Sequence, residues 1–489
     1  MIWLHTYTGL LAGWLIFAVF LTGTLSYYNQ ELTHWMTSSN IAKQGQQPLI
    51  NHSLKVLSEQ APNATQWRIQ LPDDRGSNFR LSYREGKERN SIYLDASELT
   101  LKEEAQTRGG NFFRTFHYTL SLRQWGGRYL TGIAAMLMLI GVFTGIYTHR
   151  RFFKDFFTLR NKDKLKFTVD FHAVAGVITI PFCFMICFSA LLIYISMYQP
   201  FSINHYYDSY RALDRKVSTR HESTAPSGIA AEHLTSIDKF TPVLEQKWGR
   251  NAELSAITIN HPGDSQGQII FTKQKVDILS NKAQSLAFAT SGNAQAQMAE
   301  ERFPRMVRRV FYGLHEAHFA DPPLRAMLFL SGMFATVLIS TGMLIWLRKR
   351  QQKQQKKSYV FVERMNNAAF YGLSLAIACY FLASKLPVQS INLVQYELPV
   401  FFYTWLASLI LVLAIKPNKG KPVLLAANAV AFSTLLVIDL VNLISHFDKL
   451  FNLPYLTIVF WLVLTNIYFI RASIKSLSAA GVKMRTTYA

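Results

Sequence analysis

The sequence predicts a polytopic α-helical membrane protein of about eight spans. Two α+β inserts lie on one side of the bilayer, and an internal repeat covers the first four helices. Three observations predict this. Half of the 489 residues are hydrophobic and only 17% are charged, against about 25% charged in a soluble domain. The apolar residues gather in runs of roughly 20, enough to cross about 30 Å of hydrocarbon. The basic residues gather beside those runs, and the net charge of +21 arises largely there. That distribution points to a lipid bilayer as partner and to no nucleic acid.

The first span is placed at 1–28. It has no basic run ahead of it, and Thr24-Leu25-Ser26-Tyr27-Tyr28 is not a small-residue cleavage site, so it reads as a retained helix. The polar segment 29–111 follows. Ser53–Gln60 has amphipathic helical spacing. Gln66–Gln70, Asn78–Tyr83 and Ser91–Leu94 alternate and are separated by turn-forming stretches, which predicts a helix and a small antiparallel sheet. The second span and its flanking segment occupy 112–150, a basic loop 151–168 and the third span 169–198. A second polar insert, 199–302, has strand-like runs at Ser255–Ile259 and Gln268–Thr272. The fourth span with its flank takes 303–347, a basic linker 348–365, four more spans 366–473 and a tail 474–489.

From His149 to Lys166 there are seven Lys or Arg against two Asp, and Arg348–Lys357 contains no acid. The positive-inside rule then places these loops and both termini in the cytoplasm. Both inserts fall outside, which in a bacterial inner membrane means the periplasm.

The repeat is read from four histidines. His5 and Gly9 open the first span as His172 and Gly176 open the third, and His117 and His315 lie ahead of the second and fourth. The second helix of each half also matches at its far end, Thr144-Gly145 against Thr341-Gly342. Arg128 and Arg325 each stand sixteen residues before that threonine. An ionisable residue at a membrane helix is a functional candidate. Topology puts His5 and His172 at the cytoplasmic side and His117 and His315 at the external side, one from each half in each leaflet. Neutral imidazole is a haem-iron ligand that bundle cores present from facing helices. Two stacked bis-histidine haems would make an electron path across the bilayer. The glycine four residues after His5 and His172 shares their helix face and would admit a flat macrocycle. His149 and His318 are alternates for the ligand positions. The competing reading is a set of interfacial histidines at headgroup level.

Arginine supplies a second signal. Arg114, Arg123 and Arg128 flank His117, Arg302, Arg305, Arg308 and Arg309 precede His315, and Arg325 follows it. All lie on the side where positive charge is normally sparse. Arginine suits paired recognition of carboxylates, so these residues are candidates for haem propionates or an anionic substrate. An amphipathic helix meeting lipid headgroups is the alternative. Cys183, Cys187 and Cys379 lie within apolar spans and read as small packing residues.

Taken together these residues resemble the PepSY-associated transmembrane family, some members of which resemble inner-membrane ferric-siderophore reductases. The resemblance is carried by His5-x-x-x-Gly9 with Thr22-Gly23, His117 with Gly126–Arg128 and Thr144-Gly145, His172-x-x-x-Gly176, and His315 with Thr341-Gly342. Ile92-Tyr93-Leu94-Asp95-Ala96-Ser97 resembles the closing strand of a PepSY module. The likeness covers about residues 1–350. It implies PepSY-like inserts, two b-type haems and electron delivery to a periplasmic ferric siderophore, from a quinol or a cytoplasmic reductant. Ser189-Ala190 departs from the pattern of Thr22-Gly23, and the last four spans lie outside it. Two readings of other classes stand beside this one: a non-catalytic protein whose inserts bind peptide or sense the envelope, and a transporter.

Overall fold

Eight helices among the described residues are long and apolar enough to cross a membrane: Ile2–Ser26, Gly127–Thr148, Leu165–Ile193, Pro322–Gln351, Lys357–Lys385, Gln395–Ala414, Pro417–Ser445 and Leu453–Ser478. They are called spans one to eight. The computed structural model describes residues 1–37, 45–73, 75, 79–96, 98–102, 107–148, 160, 163–210, 212–213, 226–229, 237–250, 252–274, 279–280, 283–290, 297–298, 303–354, 356–385, 394–445 and 452–487. These divide into a membrane unit (Met1–Ser38, Gln106–Leu191 and Pro322–Ala489) and an extramembrane unit (Ser39–Ala105 and Leu192–Asp321).

In the membrane unit, span one is the central helix. Its most apolar window is 61% buried, against 22% for span three. It packs on spans two and four, and Phe17 meets Phe370 of span five at 4.6 Å between ring centroids. Span five carries a wide turn at Ala368–Gly372. Such a turn releases carbonyls from the helical ladder, and they need other donors. Trp405 Nε1 donates to the Ala368 carbonyl at 3.1 Å and Asn428 Nδ2 to that of Tyr371 at 2.9 Å. Trp14 of span one donates to Asn366 Oδ1 at 2.8 Å just ahead of the turn.

A short helix, Asn29–Thr37, follows span one and packs against span eight. It supplies two buried polar contacts. Glu31 pairs with Arg325 of span four at 2.9 Å. Trp35 Nε1 donates to Asp439 of span seven at 2.9 Å. The Asp439 carboxylate also accepts from the Tyr455 hydroxyl at 3.1 Å and lies 3.5 Å from Lys385 Nζ. Buried charges persist only when paired and hydrogen-bonded, and these groups join the last four spans to the repeat. His34, to which sequence analysis assigns no role, is buried here, with its Nε2 2.7 Å from Asn452 Nδ2.

The extramembrane unit contains one antiparallel sheet of eight strands in the order β4-β3-β2-β1-β5-β6-β7-β8. β1 to β4 (Gln66–Gln70, Arg80–Glu85, Glu88–Leu94, Leu101–Lys102) come from the first insert. β5 to β8 (Leu254–Asn260, Gln268–Lys273, Ser285–Ala289, Gln297–Met298) come from the second. Each insert is thus a helix followed by a four-stranded meander, the helices being Gln46–Gln60 and Thr241–Trp248. The repeat therefore extends into the inserts. The two meanders join through their first strands, with Gln66 opposite Asn260 and Gln70 opposite Ala256. Trp67, Ile69, Leu81, Ile257, Ile259, Phe271 and Phe288 share one buried core with Leu49, Ile50 and Leu57 of the first helix. Strand alternation directs these residues to one face.

Candidate functional site

Two of the four histidines meet in the membrane unit. His5 stands near the start of span one and His172 near the start of span three. Their ring centroids are 6.5 Å apart and their planes inclined at 68°. Both line a cavity of about 340 Å³ walled by spans one to four, within the roughly 300–1,000 Å³ of small-molecule sites.

Each ring is held by the second helix of its own half. His5 Nδ1 lies 3.0 Å from the Gly141 carbonyl and 3.2 Å from Thr144 Oγ1. A carbonyl can only accept, so Nδ1 is the protonated nitrogen. His172 Nδ1 lies 3.0 Å from Thr341 Oγ1, and that hydroxyl donates to the Leu338 carbonyl at 2.9 Å. Thr341 is therefore the acceptor and His172 Nδ1 again the donor. In both rings Nε2 is the nitrogen with the lone pair, the state in which a second-shell oxygen orients a metal-binding histidine.

The glycines explain how the rings fit. A Cβ on Gly145 would stand 3.3 Å from His5 Cε1, and one on Gly342 3.0 Å from His172 Cε1. Thr144-Gly145 and Thr341-Gly342 are thus seats for imidazole, the threonine fixing the tautomer and the glycine receiving the ring. A Cβ on Gly9 meets nothing within 4 Å, and one on Gly176 only Leu338 at 3.7 Å. Both glycines line the cavity. A side chain at Gly9 would enter open space, and one at Gly176 would make an ordinary contact with Leu338.

His117 occupies the same kind of seat elsewhere. It lies on a short helix, Asn111–Thr119, outside the spans. Its Nδ1 donates to the Val19 carbonyl of span one at 2.7 Å, and a Cβ on Gly23 would fall 2.5 Å from that nitrogen. Gly23 is therefore a third glycine that receives an imidazole, with the Val19 carbonyl as the acceptor that orients it. Fourteen residues separate His5 from Val19, about 21 Å along the helix.

His315 lies on the helix Phe303–Glu316 and belongs to the extramembrane unit. The helix carrying it ends at a left-handed residue, Ala317 with φ 52°, as that of His117 ends at Leu120 with φ 53°. His318 Nε2 is engaged by Glu316 at 2.6 Å. His149 lies outside the described residues, as does Arg302.

The arginines divide. Arg114, Arg123 and Arg128 are exposed, and Arg128 stands 5.5 Å over the Tyr118 ring. Arg308 donates to the Ile193 carbonyl at 2.9 Å and to the Tyr210 hydroxyl at 3.3 Å. Arg305 and Arg309 are half-buried on the same helix. Arg325 is buried in its ion pair with Glu31, so the repeat-matched pair Arg128 and Arg325 has diverged. Sequence reasoning missed Trp346, Lys349 and Arg350, which line the histidine cavity. Lys349 and Arg350 stand in a run read only as a topology signal, and Trp346 in the apolar end of span four.

Fold and site define a polytopic helical membrane protein in which repeat-related histidines face a common intramembrane cavity. The chain belongs to the PepSY-associated TM region family, whose model matches residues 2–349. The match takes in both halves of the repeat and both inserts and ends before the last four spans. No curated protein matches the chain.

Proposed function

We propose that the protein is a haem-carrying reductase of the bacterial inner membrane that passes electrons outward to a periplasmic ferric siderophore. The observation that carries this reading is the His5–His172 pair. These two residues would hold the haem iron, and their ring centroids stand 6.5 Å apart. Both rings are fixed at Nδ1, which leaves Nε2 as the nitrogen able to bind a metal, and both line a cavity that Gly9 and Gly176 also line.

A haem bound there supplies a one-electron carrier. The chain's own part is to hold the two rings, fix their tautomer by donation from Nδ1, and line the cavity with apolar side chains. His117 and His315 are proposed to hold a second haem nearer the outer face, supported by the repeat and by the seat of His117 on Gly23. Arg114, Arg123, Arg128, Arg305, Arg308 and Arg309 are proposed to serve propionates or an anionic ferric complex; Arg325 is instead engaged by Glu31 in a buried ion pair. Electrons would come from a quinol or a cytoplasmic reductant. Iron(III) gains one electron and leaves as iron(II), because hard oxygen donors hold the reduced ion less well.

The test is an absorption spectrum and a pyridine-haemochrome count on the purified full-length chain. Two haems per chain are expected. His5→Ala and His172→Ala should remove the same one, and His117→Ala and His315→Ala the other. A haem-free preparation that still reduces the ferric complex ends this reading.

A further inference from the structure

The cavity around His5 and His172 is bordered by the last turns of span four. Among the described residues its charged lining residues are Lys349 and Arg350, and no carboxylate lines it. Both cations belong to a basic run that the positive-inside rule explains without any ligand, so their charge alone assigns nothing. Two further observations separate them from that run. The Arg350 guanidinium is stacked 4.2 Å over the ring of Trp346, which fixes it at the cavity wall, whereas its neighbour Arg348 turns to Thr168 at 3.0 Å. Trp346 itself lines the cavity, and its indole Nε1–H is buried with no acceptor among the described residues. A buried donor without an acceptor is costly. Here it stands beside two cations in the wall of a ligand-sized space.

We propose that Trp346, Lys349 and Arg350 form the anion-recognising end of this cavity and bind the carboxylates of an amphipathic dicarboxylate macrocycle whose flat body lies between His5 and His172. The inference rests on the haem reading and deepens it. It sets the direction of the ligand, with carboxylates toward the end of span four that carries Arg348–Arg350 and apolar edge toward Gly13 and Cys183. Trp346 donates one hydrogen bond, Arg350 offers a planar fork suited to a carboxylate, and Lys349 adds a point charge. Removing the acceptors would leave the indole donor and two like charges facing an apolar space.

The experiment compares two probes, haem and haem dimethyl ester, whose carboxylates are masked. It uses the full-length protein in detergent with His117→Ala in the background, so that one site is read. The measurement is the rate at which each probe passes to excess apomyoglobin. The unsubstituted cavity should lose the diester at least ten-fold faster than haem. Lys349→Gln with Arg350→Gln should lose both at the diester's rate, with an unchanged low-spin spectrum. Trp346→Phe should speed loss of haem two- to three-fold and leave loss of the diester alone. Equal discrimination by the double variant and the parent overturns the proposal. So does a parent that holds both porphyrins equally yet retains phosphatidylglycerol through delipidation in a Lys349- and Arg350-dependent manner, which would assign the cations to a lipid headgroup. A parent that takes up neither porphyrin fails at the earlier step and removes the haem reading itself.

Discussion

The imidazole rings of His5 and His172 stand with centroids 6.5 Å apart and planes inclined at 68°. Each is turned by an oxygen of a neighbouring helix, Gly141 and Thr144 for His5 and Thr341 for His172. Both rings are thus oriented through Nδ1 by the second helix of their own half, and both line the same cavity. The same device recurs at His117, where Val19 and Gly23 play these parts. Three of the four repeat-matched histidines thus have a demonstrated seat.

Glycine substitutions separate the seat from the space. A Cβ at Gly23 would stand 2.5 Å from His117 Nδ1, at Gly342 3.0 Å from His172 Cε1, and at Gly145 3.3 Å from His5 Cε1. Overpacking of this kind costs about 1–3 kcal/mol. The expected order of destabilisation to alanine is Gly23, then Gly342, then Gly145, read from helicity lost on titration with SDS. Gly9→Ala meets no protein atom within 4 Å and should leave stability unchanged while weakening haem retention. A Gly9→Ala protein that binds haem as the parent does would place the macrocycle elsewhere.

The Lys385–Asp439 pair is a buried ion pair within the last four spans, on which Trp35 of the repeat docks. Both side chains are buried, and Asp439 also accepts from Trp35 and Tyr455. Removing one partner of such a pair costs about 3–5 kcal/mol, whereas replacing both with apolar groups is often nearly neutral. Asp439→Asn should therefore destabilise strongly, and Lys385→Met with Asp439→Leu much less. A double variant as unstable as the sum of its single changes would show that the pair is not a unit.

Much of this was legible in the sequence, for reasons that differ by element. The spans were, because hydrocarbon demands long apolar runs, and all eight fall where the runs are. β1 runs over Gln66–Gln70 as predicted, since alternation with a turn on each side marks a half-buried strand. β4 and β8 have two residues each, too short to carry a period. The first helix begins at Gln46, seven residues before its amphipathic signal at Ser53, because its first turns carry glutamines and a proline. The joining of both inserts in one sheet was not legible, since pairing between β1 and β5 spans almost two hundred residues and leaves no local trace. The repeat identified His5 and His172 as equivalents. It could not show that Thr-Gly seats the ring, nor that Trp346, Lys349 and Arg350 turn to the same cavity.

Asp264 gives the extramembrane unit a defined acid sensitivity. Its carboxylate accepts from the amides of Ser227, Gly228 and Gln266 at 2.8–3.0 Å and from the Ser227 hydroxyl at 2.8 Å. These bonds, the Ser227 amide foremost, hold its pKa down at about 2, against about 3.9 in an unfolded chain. A depressed carboxyl contributes stability that is full above about pH 4 and is lost as pH falls toward 2. Amide protection at Ser227, Gly228 and Gln266, corrected for intrinsic exchange, should fall across that window. In Asp264→Asn it should be lower at neutral pH and flat between pH 5 and 2. A variant that keeps the parent's acid transition would assign it to another group.

The shared sheet turns topology into a paired test. Lys87 lies in the turn between β2 and β3, and Gly263 in that between β5 and β6. Since β1 and β5 pair along their length, both turns must lie on one side of the membrane, whichever side that is. Gln352 follows span four, after Arg348–Arg350, where positive-inside bias predicts cytoplasm. In a chain with Cys183, Cys187 and Cys379 replaced, Lys87→Cys and Gly263→Cys should label with an impermeant thiol reagent in intact spheroplasts, and Gln352→Cys only after lysis. Unequal labelling of Lys87→Cys and Gly263→Cys would break the eight-stranded sheet. Equal labelling with the opposite sidedness would keep the sheet and place His5 and His172 at the outer face, reversing the proposed direction of electron flow.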